Sequence, residues 1–220
     1  MTVKAVLFDL DGTLVDSNDH HVEVWDRVFR EAGHDFPREA LHAQIGKGGD
    51  NYVPALLPDA DAGMVERLGA RHGEIFKTER LAGIVAFRHA RALMAEVKAR
   101  GMKPVLASSA GGEEVAHYVD LLDAGDIVAS TTSKDDAERS KPDPDIFAAA
   151  LESVGVAGAE AIVIGDTPWD VIAAKRAGAR AIAVLSGGFD EAGLRAAGAV
   201  AVYRDVADLL ARIDASPLAG

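Results

Sequence analysis

Two aspartates stand two residues apart directly after a short apolar segment near the start of the chain. The segment Val3–Phe8 is followed by Asp9, Leu10, Asp11 and Gly12. Carboxylates held this close repel each other unless a cation or a shared proton offsets their charge. The pattern therefore indicates a metal site at the end of a strand. The alternative is a polar turn in which Asp11 and Gly12 simply end that strand.

A second acidic pair follows another apolar segment later in the chain. Asp166 and Asp170 come directly after Gly165 and stand on either side of Pro168. Proline suits the first turn of a helix, and a spacing of four residues brings the two carboxylates together at its start. Capping of the helix explains one aspartate. Two of them beside a strand end, after a glycine that permits close backbone approach, favour a site.

Two further polar positions could bind an anion. Ser108 and Ser109 follow the apolar segment Pro104–Ala107, where a hydroxyl and the next amides could hold a phosphate oxygen at a helix N-terminus. A serine that only caps the helix is the alternative. Lys141 precedes Pro142, which disfavours helical geometry at the lysine, and a solvated lysine in a polar turn is its alternative.

The composition excludes several classes of function. The 220 residues include 23 Lys and Arg against 35 Asp and Glu, so the formal net charge is −12 and nucleic acid and anionic membranes are poor partners. The chain has no cysteine, so a metal must be held by oxygen or imidazole. We expect no signal peptide and no span of roughly 18 apolar residues, which predicts a cytoplasmic location. The oligomeric state is left open.

Strands and helices must position these side chains, and the chain alternates between the two. Short apolar runs predict six buried parallel strands, at Val3–Phe8, Pro104–Ala107, Ile127–Ala129, Ala161–Ile164, Ala181–Leu185 and Val200–Tyr203. Helical patterns follow at Glu113–Leu122, Pro144–Val154, Pro168–Ala177, Glu191–Ala197 and Val206–Ile213. Such alternation predicts an α/β sheet covered on both faces.

The long gap between the first two predicted strands contains an insert. A single crossover helix needs far fewer residues than this gap provides. Apolar residues recur on one helical face in three stretches of the gap. We therefore predict a small helical domain over residues 15–88, a helix over 89–100 that returns to the core, and a core formed by 1–14 and 89–220.

The segments around Asp9, Ser108, Lys141 and Asp166 resemble, in order and spacing, the four motifs of the haloacid dehalogenase-like hydrolase superfamily. The resemblance extends over essentially the whole chain. The insert is similar to the four-helix cap of the phosphoglycolate phosphatase and β-phosphoglucomutase branch. The family implies a Rossmann-like sheet whose first and fourth predicted strands are neighbours, with Asp9 and Asp166 side by side where such sheets bind ligands.

The resemblance also implies a role for each acidic residue. Asp9 is expected to take the phosphoryl group as an aspartyl phosphate, and Asp11 to protonate the leaving alkoxide and then activate water. Mg²⁺ is expected to bind the Asp9 carboxylate, the Asp11 backbone carbonyl and Asp166. Asp170 is expected to act on the metal through another ligand or a water.

The same resemblance assigns the anion-binding positions. Ser108, Ser109 and Lys141 are expected to hold the remaining phosphoryl oxygens, with Lys141 also offsetting the negative charge around Asp9. Haloacid dehalogenases and phosphonatases of the superfamily lack an aspartate at the position of Asp11, because their leaving groups need no such acid. Cleavage of a carbon–halogen bond is therefore not expected.

Residues of the insert are candidates for contact with substrate. His21 matches in spacing a histidine that resembling β-phosphoglucomutases use near the sugar, and a solvated histidine is the alternative. Lys47 lies in the loop Gly46–Gly49, which matches in position the family's specificity loop. Gly49 stands where a mutase is expected to have an arginine. Trp169 is predicted to pack under the insert or to face the cleft.

The sequence thus predicts a Mg²⁺-dependent phosphatase that acts on a small phosphorylated metabolite. A sugar-phosphate mutase on the same fold is the closer alternative. A receiver-type signalling module is the more distant one, and the insert and the acidic pair on the first strand argue against it. Phosphoglycolate, a hexose or pentose phosphate and a nucleoside monophosphate all remain open as substrates.

Overall fold

The computed structural model describes residues 2–219, and its centre is a parallel sheet. The strands in chain order are β1 (Ala5–Phe8), β2 (Val15–Asp16), β3 (Val85–Ala86), β4 (Lys103–Ala107), β5 (Ser130–Thr132), β6 (Ala161–Gly165), β7 (Arg180–Val184) and β8 (Ala201–Tyr203). Six of them form the sheet in the order β5-β4-β1-β6-β7-β8, all parallel. Strand β1 therefore lies between β4 and β6, as the family fold implies.

Ten α-helices occur within the described residues. They are α1 (Asn18–Glu31), α2 (Arg38–His42), α3 (Gly49–Leu56), α4 (Ala62–Ile75), α5 (Ala90–Ala99), α6 (Gly112–Leu121), α7 (Asp145–Val154), α8 (Pro168–Arg176), α9 (Glu191–Ala197) and α10 (Val206–Ala211). None of them is long and apolar enough to cross a bilayer. The cytoplasmic location stays a prediction.

Helices cover both faces of the sheet, because the strands are apolar on both sides. Along β1, Ala5 and Leu7 belong to a core cluster with residues of α7, α8 and α9, whereas Val6 and Phe8 belong to a cluster with residues of α5, α6 and α10. All four side chains are fully buried. Alternate residues of a strand point to opposite faces, so a strand buried on both sides reads as a continuous apolar run. The predicted α/β class is confirmed.

The predicted strand at Ile127–Ala129 is wrong by three residues. Ile127 and Val128 both donate their backbone N–H to Ala124 O, so they form a turn after α6, in which Ile127 is buried. The strand is Ser130–Thr132, paired with β4. A prediction based on apolar residues alone fails here, because Ile127 is buried in a turn and the strand itself consists of Ser and Thr. The other strand limits were predicted to within about two residues.

Helices α1–α4 and the turns that follow α4 form a helical insertion over residues 18–83. A short antiparallel pair closes its base, where Val15 lies opposite Ala86 and Asp16 opposite Val85. Inside the insertion, α1 buries Trp25 and Phe29. Their rings stack against Tyr52 of α3, at 4.3 and 6.3 Å between ring centroids respectively. Aromatic packing thus joins α1 to α3 inside the insertion, and these rings belong to the same buried cluster as Val6 and Phe8 of β1.

Candidate active site

The carboxyl ends of neighbouring strands bring the motif residues together. Asp9 follows β1, Ser108 follows β4 and Asp166 follows β6. The backbone N–H of Asp9 donates to Ile164 O at 2.9 Å, which continues the pairing of β1 with β6 and fixes the start of the loop. Parallel strands expose their carboxyl ends at one edge, which is where open α/β sheets bind ligands.

Asp9, Asp166, Asp170 and Lys141 form a buried group that we call the acidic cluster. Lys141 is 1% exposed, contacts Asp9 Oδ1, and places its Nζ 2.7 Å from Asp170 Oδ1. Burial disfavours the charge on the lysine, but Asp170 and Asp9 outweigh it and raise the pKa of Lys141, so the ammonium stays protonated. One cation therefore faces three carboxylates in a buried space.

The carboxylates of the acidic cluster are short of positive charge. Burial raises the pKa of Asp9 well above its usual value, and Lys141 offsets only part of that shift. Burial and then repulsion from Asp170 raise the pKa of Asp166 to about 7, although Asn18 Nδ2 and Thr13 Oγ1 donate to it at 2.8 and 3.0 Å. A further cation would stabilise the ionised form of these carboxylates.

The donor set fits a hard divalent cation. Oxygens of Asp9, Asp166 and Asp170 lie within 4.8 Å of one another. A Cβ at Gly12 or at Gly187 would overlap Asp166 Oδ2, so both backbone segments come close enough to shape the space around that carboxylate. Carboxylate and carbonyl oxygens are the ligands that Mg²⁺ and Ca²⁺ prefer.

Asp170 is the member of this set with the most contacts already made. Its Oδ2 accepts from the Thr167 backbone N–H at 3.1 Å and from Thr167 Oγ1 at 2.6 Å, in a capping box at the start of α8. Its Oδ1 faces Lys141. Asp170 therefore contacts Lys141 and completes the capping box of α8, whose N-cap is Thr167.

The side chain of Asp11 lies among three hydrogen-bonding partners outside the acidic cluster, which we call its cradle. Its Oδ1 accepts from Ser17 Oγ at 2.6 Å and from Tyr118 OH at 3.1 Å, and lies 3.2 Å from His21 Nε2. Burial alone would raise the pKa of Asp11, but His21 and these hydrogen bonds outweigh it and lower that pKa to about 2. Ser17 and Tyr118 were missed from the sequence. Tyr118 is 107 positions away from Asp11, and no local pattern links them.

His21 belongs to a stack of rings from the helical insertion. Its ring centroid lies 3.8 Å from that of Phe76, and its Nδ1 lies 3.3 Å from His72 Nε2. The His72 ring in turn stacks on Trp25 at 4.3 Å. Burial, and then the neighbouring His21, hold the pKa of His72 well below its usual value, so the ring is neutral at pH 7. His72 was not among the candidate residues predicted from the sequence.

The two serines after β4 differ in what their hydroxyls face. Ser108 is fully buried and its Oγ accepts from the Ala110 backbone N–H at 3.0 Å. Ser109 lines the cavity described below, and its buried Oγ has no hydrogen-bond partner among residues 2–219. The helix α6 is capped by Gly111, so neither serine is its N-cap. Ser109 is therefore the better placed hydroxyl for an incoming group.

The loop Gly46–Gly49 of the helical insertion packs on the core. Lys47 Nζ donates to Gln44 Oε1 at 2.7 Å and lies 3.9 Å from the centroid of the Trp169 ring. Gly46 approaches Thr167 so closely that a Cβ there would lie 2.7 Å from Thr167 Oγ1. Partial burial lowers the pKa of Lys47. Trp169 thus packs under the insertion, one of the two positions expected for it.

Three more side chains join the insertion to the core, and the sequence singled out none of them. Asn51 Nδ2 donates to Ser140 O at 2.9 Å, and Asp50 accepts from the Ser140 N–H at 3.0 Å. His42 Nε2 lies 2.8 Å from Gly187 O. The insertion therefore contacts the loop next to Lys141 as well as the loop around Trp169.

A cavity of about 1560 Å³ lies between the acidic cluster and the helical insertion. Asp9, Asp11 and Lys141 line it from the core, and His21 and Lys47 line it from the insertion. A buried carboxylate beside a lysine can act as a nucleophile toward a bound electrophile, and a second carboxylate two residues away can move protons. Ser109 lines the cavity as well, whereas the other residues singled out from the sequence, Ser108, Asp166, Trp169 and Asp170, do not.

Comparison with known proteins gives consistent matches. Residues 3–178 match a family described as haloacid dehalogenase-like hydrolase. The chain is 29% identical over 215 residues to a phosphoglycolate phosphatase of Rhodospirillum rubrum, covering 94% of this chain and 89% of that protein. It is 27% identical to a validoxylamine A 7'-phosphate phosphatase of Streptomyces hygroscopicus subsp. limoneus, covering 80% and 82%. The crystal structure of a hydrolase from Pseudomonas syringae superimposes with a TM-score of 0.89 at 31% identity, covering 96% and 98%.

Proposed function

The chain belongs to the haloacid dehalogenase-like hydrolase family, and from that premise we propose that it is a Mg²⁺-dependent phosphatase. Its substrate is a small phosphorylated metabolite of the phosphoglycolate or sugar-phosphate type. The observation that carries the proposal is Asp9, a 3% exposed carboxylate that lines the cavity in contact with the ammonium of Lys141. That contact offsets part of the rise in the pKa of Asp9 that burial causes, and a bound cation would further favour the ionised carboxylate that nucleophilic attack requires.

The names of the relatives support the reaction more than the substrate. One is a phosphoglycolate phosphatase and another a validoxylamine A 7'-phosphate phosphatase, so the two agree on hydrolysis of a phosphate ester and differ in the rest of the molecule. Enzymes that share a fold differ mainly in the groups that contact the substrate. We therefore carry over the reaction class.

In the proposed reaction an Asp9 oxygen forms a bond to phosphorus while the bond from phosphorus to the leaving oxygen breaks. Asp11 gives its proton to the departing alkoxide, and later accepts a proton from the water that hydrolyses the aspartyl phosphate. The contact of Asp11 with His21 favours the ionised form, which suits the second step. Protonation for the first step requires that this contact be released when substrate binds.

Asp9, the backbone carbonyl of Asp11 and Asp166 would hold Mg²⁺, with Asp170 acting on it indirectly. When bound, the metal would supply positive charge that offsets the phosphoryl oxygens and the carboxylates. Lys141 would bind a further phosphoryl oxygen, together with the hydroxyls or amides of Ser108 and Ser109. The deficit of positive charge in the acidic cluster supports this assignment.

We propose that residues 15–88 act as a cap domain over a core of residues 1–14 and 89–220. The contacts of Asn51 with Ser140 and of Trp169 with Ala43, the latter at 3.3 Å from Nε1 to O, support a cap that closes over the reaction. Closure around a small substrate excludes bulk water and strengthens the electrostatic interactions inside.

The loop Gly46–Gly49 favours hydrolysis over mutase chemistry. A mutase must grip a second phosphate while the first is held on the aspartate. The cation of this loop, Lys47, is engaged by Gln44 and by the ring of Trp169. Incubation with β-glucose 1-phosphate, Mg²⁺ and a glucose bisphosphate primer tests this point, because isomerisation much faster than phosphate release would overturn the choice.

The decisive experiment measures phosphate release from a panel of phosphate esters with Mg²⁺, including p-nitrophenyl phosphate as a reactive general substrate. The panel spans phosphoglycolate, hexose and pentose phosphates and nucleoside monophosphates. We expect hydrolysis of several members and none after treatment with EDTA. Absence of hydrolysis of every ester in the presence of Mg²⁺ would remove the proposal.

A further inference from the structure

The wall of the cavity outside the reaction centre is acidic. Apart from Asp9, Asp11 and Lys141, the wall carries seven carboxylates and three lysines, and no arginine among residues 2–219 lines it. A cleft lined mainly by one sign of charge focuses its field on whatever enters. The phosphoryl group itself has Lys141 beside it. The rest of the substrate must lie against this wall.

Two of the three lysines already have partners. Lys77 forms an ion pair with Glu113, and Lys47 is held by Gln44 and by the ring of Trp169. Lys134 is exposed and makes no ion pair with any residue from 2 to 219. A single exposed lysine is therefore the remaining cation for a second anionic group on the substrate.

The carboxylates of the wall are less well compensated. Glu66 and Glu138 make no ion pair within the part of the chain that the structure describes. Glu114 is 8% exposed, and its Oε2 accepts from the Gly111 backbone N–H at 3.3 Å. Burial and then the charge of Asp11 raise the pKa of Glu114, and His21, the Gly111 N–H and Lys134 offset only part of that shift.

The part of the wall near Asp11 that belongs to the helical insertion adds rings. Trp25, His21 and His72 all line the cavity, and His72 contributes no positive charge because its pKa is well below neutrality. Imidazole nitrogens can donate to or accept from hydroxyl groups, and aromatic faces pack on a carbon skeleton. This surface suits a polar, hydroxyl-bearing group, because the donor of His21 is already engaged by Asp11 and the neutral His72 brings no positive charge for a carboxylate or a second phosphate.

We propose that the substrate is a phosphate ester whose leaving group carries hydroxyl or ammonium groups and no second anion. The proposal rests on the phosphatase function and narrows it toward sugar, polyol or amino-alcohol phosphates and away from phosphoglycolate and bisphosphates. Rejection of the anionic substrates follows from the uncompensated carboxylates, because a like charge brought into this cavity is repelled.

Three esters of nearly equal size isolate the charge. They are 2-hydroxyethyl phosphate, 2-aminoethyl phosphate and 2-phosphoglycolate, which place a hydroxyl, an ammonium or a carboxylate at the same distance from phosphorus. With Mg²⁺ near pH 8, we expect kcat/KM for the hydroxyl and ammonium esters to exceed that for phosphoglycolate by about tenfold or more. The difference should shrink at high salt, because the charges of the cavity rim are screened. Competition against p-nitrophenyl phosphate ranks the three esters where their own turnover is slow.

Two variants and a control locate the cause. Glu114→Gln keeps an acceptor for the Gly111 N–H and removes a charge. It should therefore reduce severalfold the ratio of kcat/KM for the hydroxyl ester to kcat/KM for phosphoglycolate. Lys134→Gln should change kcat/KM for all three esters by similar factors. Glu152→Gln, on the exposed side of α7 and outside the cavity, should leave the ranking as it is.

The outcomes separate the two proposals. A preference for phosphoglycolate, equal kcat/KM for the three esters, or a loss confined to phosphoglycolate in Lys134→Gln would each overturn the inference while the phosphatase stands. Failure of the protein to hydrolyse p-nitrophenyl phosphate as well would overturn the phosphatase function, and the inference with it.

Discussion

The acidic cluster and the helical insertion face each other across one cavity, and they are held in place by different means. The cluster lies at the ends of paired strands, where Asp9 continues the ladder of β1 through its bond to Ile164. The insertion meets the core through half-buried side chains such as Lys47 and Asn51. Backbone pairing holds reacting groups rigidly, whereas side-chain contacts at a rim can break and re-form. On the proposed mechanism, the reacting groups lie on the rigid side, and the groups of the insertion that face the substrate lie on the adjustable side.

The acidic cluster and the helical insertion also differ in their electrostatics. In the acidic cluster, Asp9 and Asp166 have raised pKa values, because burial and mutual repulsion are only partly offset by Lys141. In the insertion, His72 is neutral and stacked on Trp25. Removing a charge from the cluster should therefore stop the reaction, while changes in the insertion should alter affinity or rank among substrates.

The sharpest test of this contrast is Asp9→Asn. The change keeps the size of the side chain but removes the nucleophile, so phosphate release should fall by at least about 10³-fold while the melting temperature holds or rises. Steady-state kinetics and thermal unfolding measure the two effects. Asp59→Asn, in an exposed loop, is the matched control and should be active. Near-normal turnover by Asp9→Asn would end the proposed mechanism.

Removal of the metal should have the next largest effect on activity. EDTA is expected to reduce phosphate release by at least about 10²-fold, and Mg²⁺ should restore it better than Ca²⁺, whose larger and more irregular coordination disturbs the in-line geometry. Mg²⁺ should also raise the melting temperature of the native protein, because a ligand stabilises the state that binds it. Asp166→Asn should lose most of that rise. Full activity after chelation would contradict the assignment of Asp166.

The pH dependence of stability without metal is a third test of the acidic cluster. The pKa of Asp166 is raised from 3.8 to about 7 on folding, so the folded protein binds a proton that the unfolded chain releases. Stability from this group is fully present below about pH 4 and is lost as the pH rises through about 7. Urea unfolding in EDTA should show that decline, and Asp166→Asn should reduce it, leaving the part that comes from Asp9, whose pKa is also raised. An increase in stability over the same range for the native protein, relative to the variant, would refute the shift.

Tyr118→Phe examines the cradle that joins the two regions at Asp11. The ring remains buried and the hydroxyl that donates to Asp11 Oδ1 is lost, so kcat for alkyl phosphates should fall about 3- to 10-fold, with less change for p-nitrophenyl phosphate. Tyr52→Phe is the matched control, because Tyr52 is also buried and donates to Leu41 O at 2.8 Å without touching Asp11. Equal losses in both variants, or equal losses for both types of ester, would indicate a purely structural role for Tyr118.

The smallest effect is expected from the loop of the helical insertion. Lys47→Gln removes the cation that lies over Trp169 and should change KM by about threefold, without changing the Mg²⁺ concentration needed for half activity. Lys175→Gln, on the exposed face of α8, is the control. If the Mg²⁺ concentration needed for half activity changed by the same factor as KM, Lys47 would act together with the acidic cluster and not only through the insertion.

Local signals in the sequence were enough to predict the fold class and the helical character of the insertion. They were also enough to predict the positions of Asp9, Asp166 and Lys141. Each signal is a polar residue directly after an apolar run or before a proline, and the strand limits fell within about two residues except at β5. At β5 the apolar residues lie in a turn and the strand is polar, so a rule based on burial placed it three residues early.

The surroundings of those residues were decided by tertiary structure alone. Tyr118 reaches Asp11 across 107 positions of the chain, and His42 reaches Gly187 across 145. Neither pair shares a strand end, a helix face or a turn, so no periodicity or spacing could link its members. The direction of the Asp11 carboxylate, the partners of Lys47 and the acidic wall of the cavity all depend on how α1, α6 and the Gly46–Gly49 loop pack against the sheet. Packing between distant elements leaves no pattern in the order of residues, which is why only the folded chain reveals it.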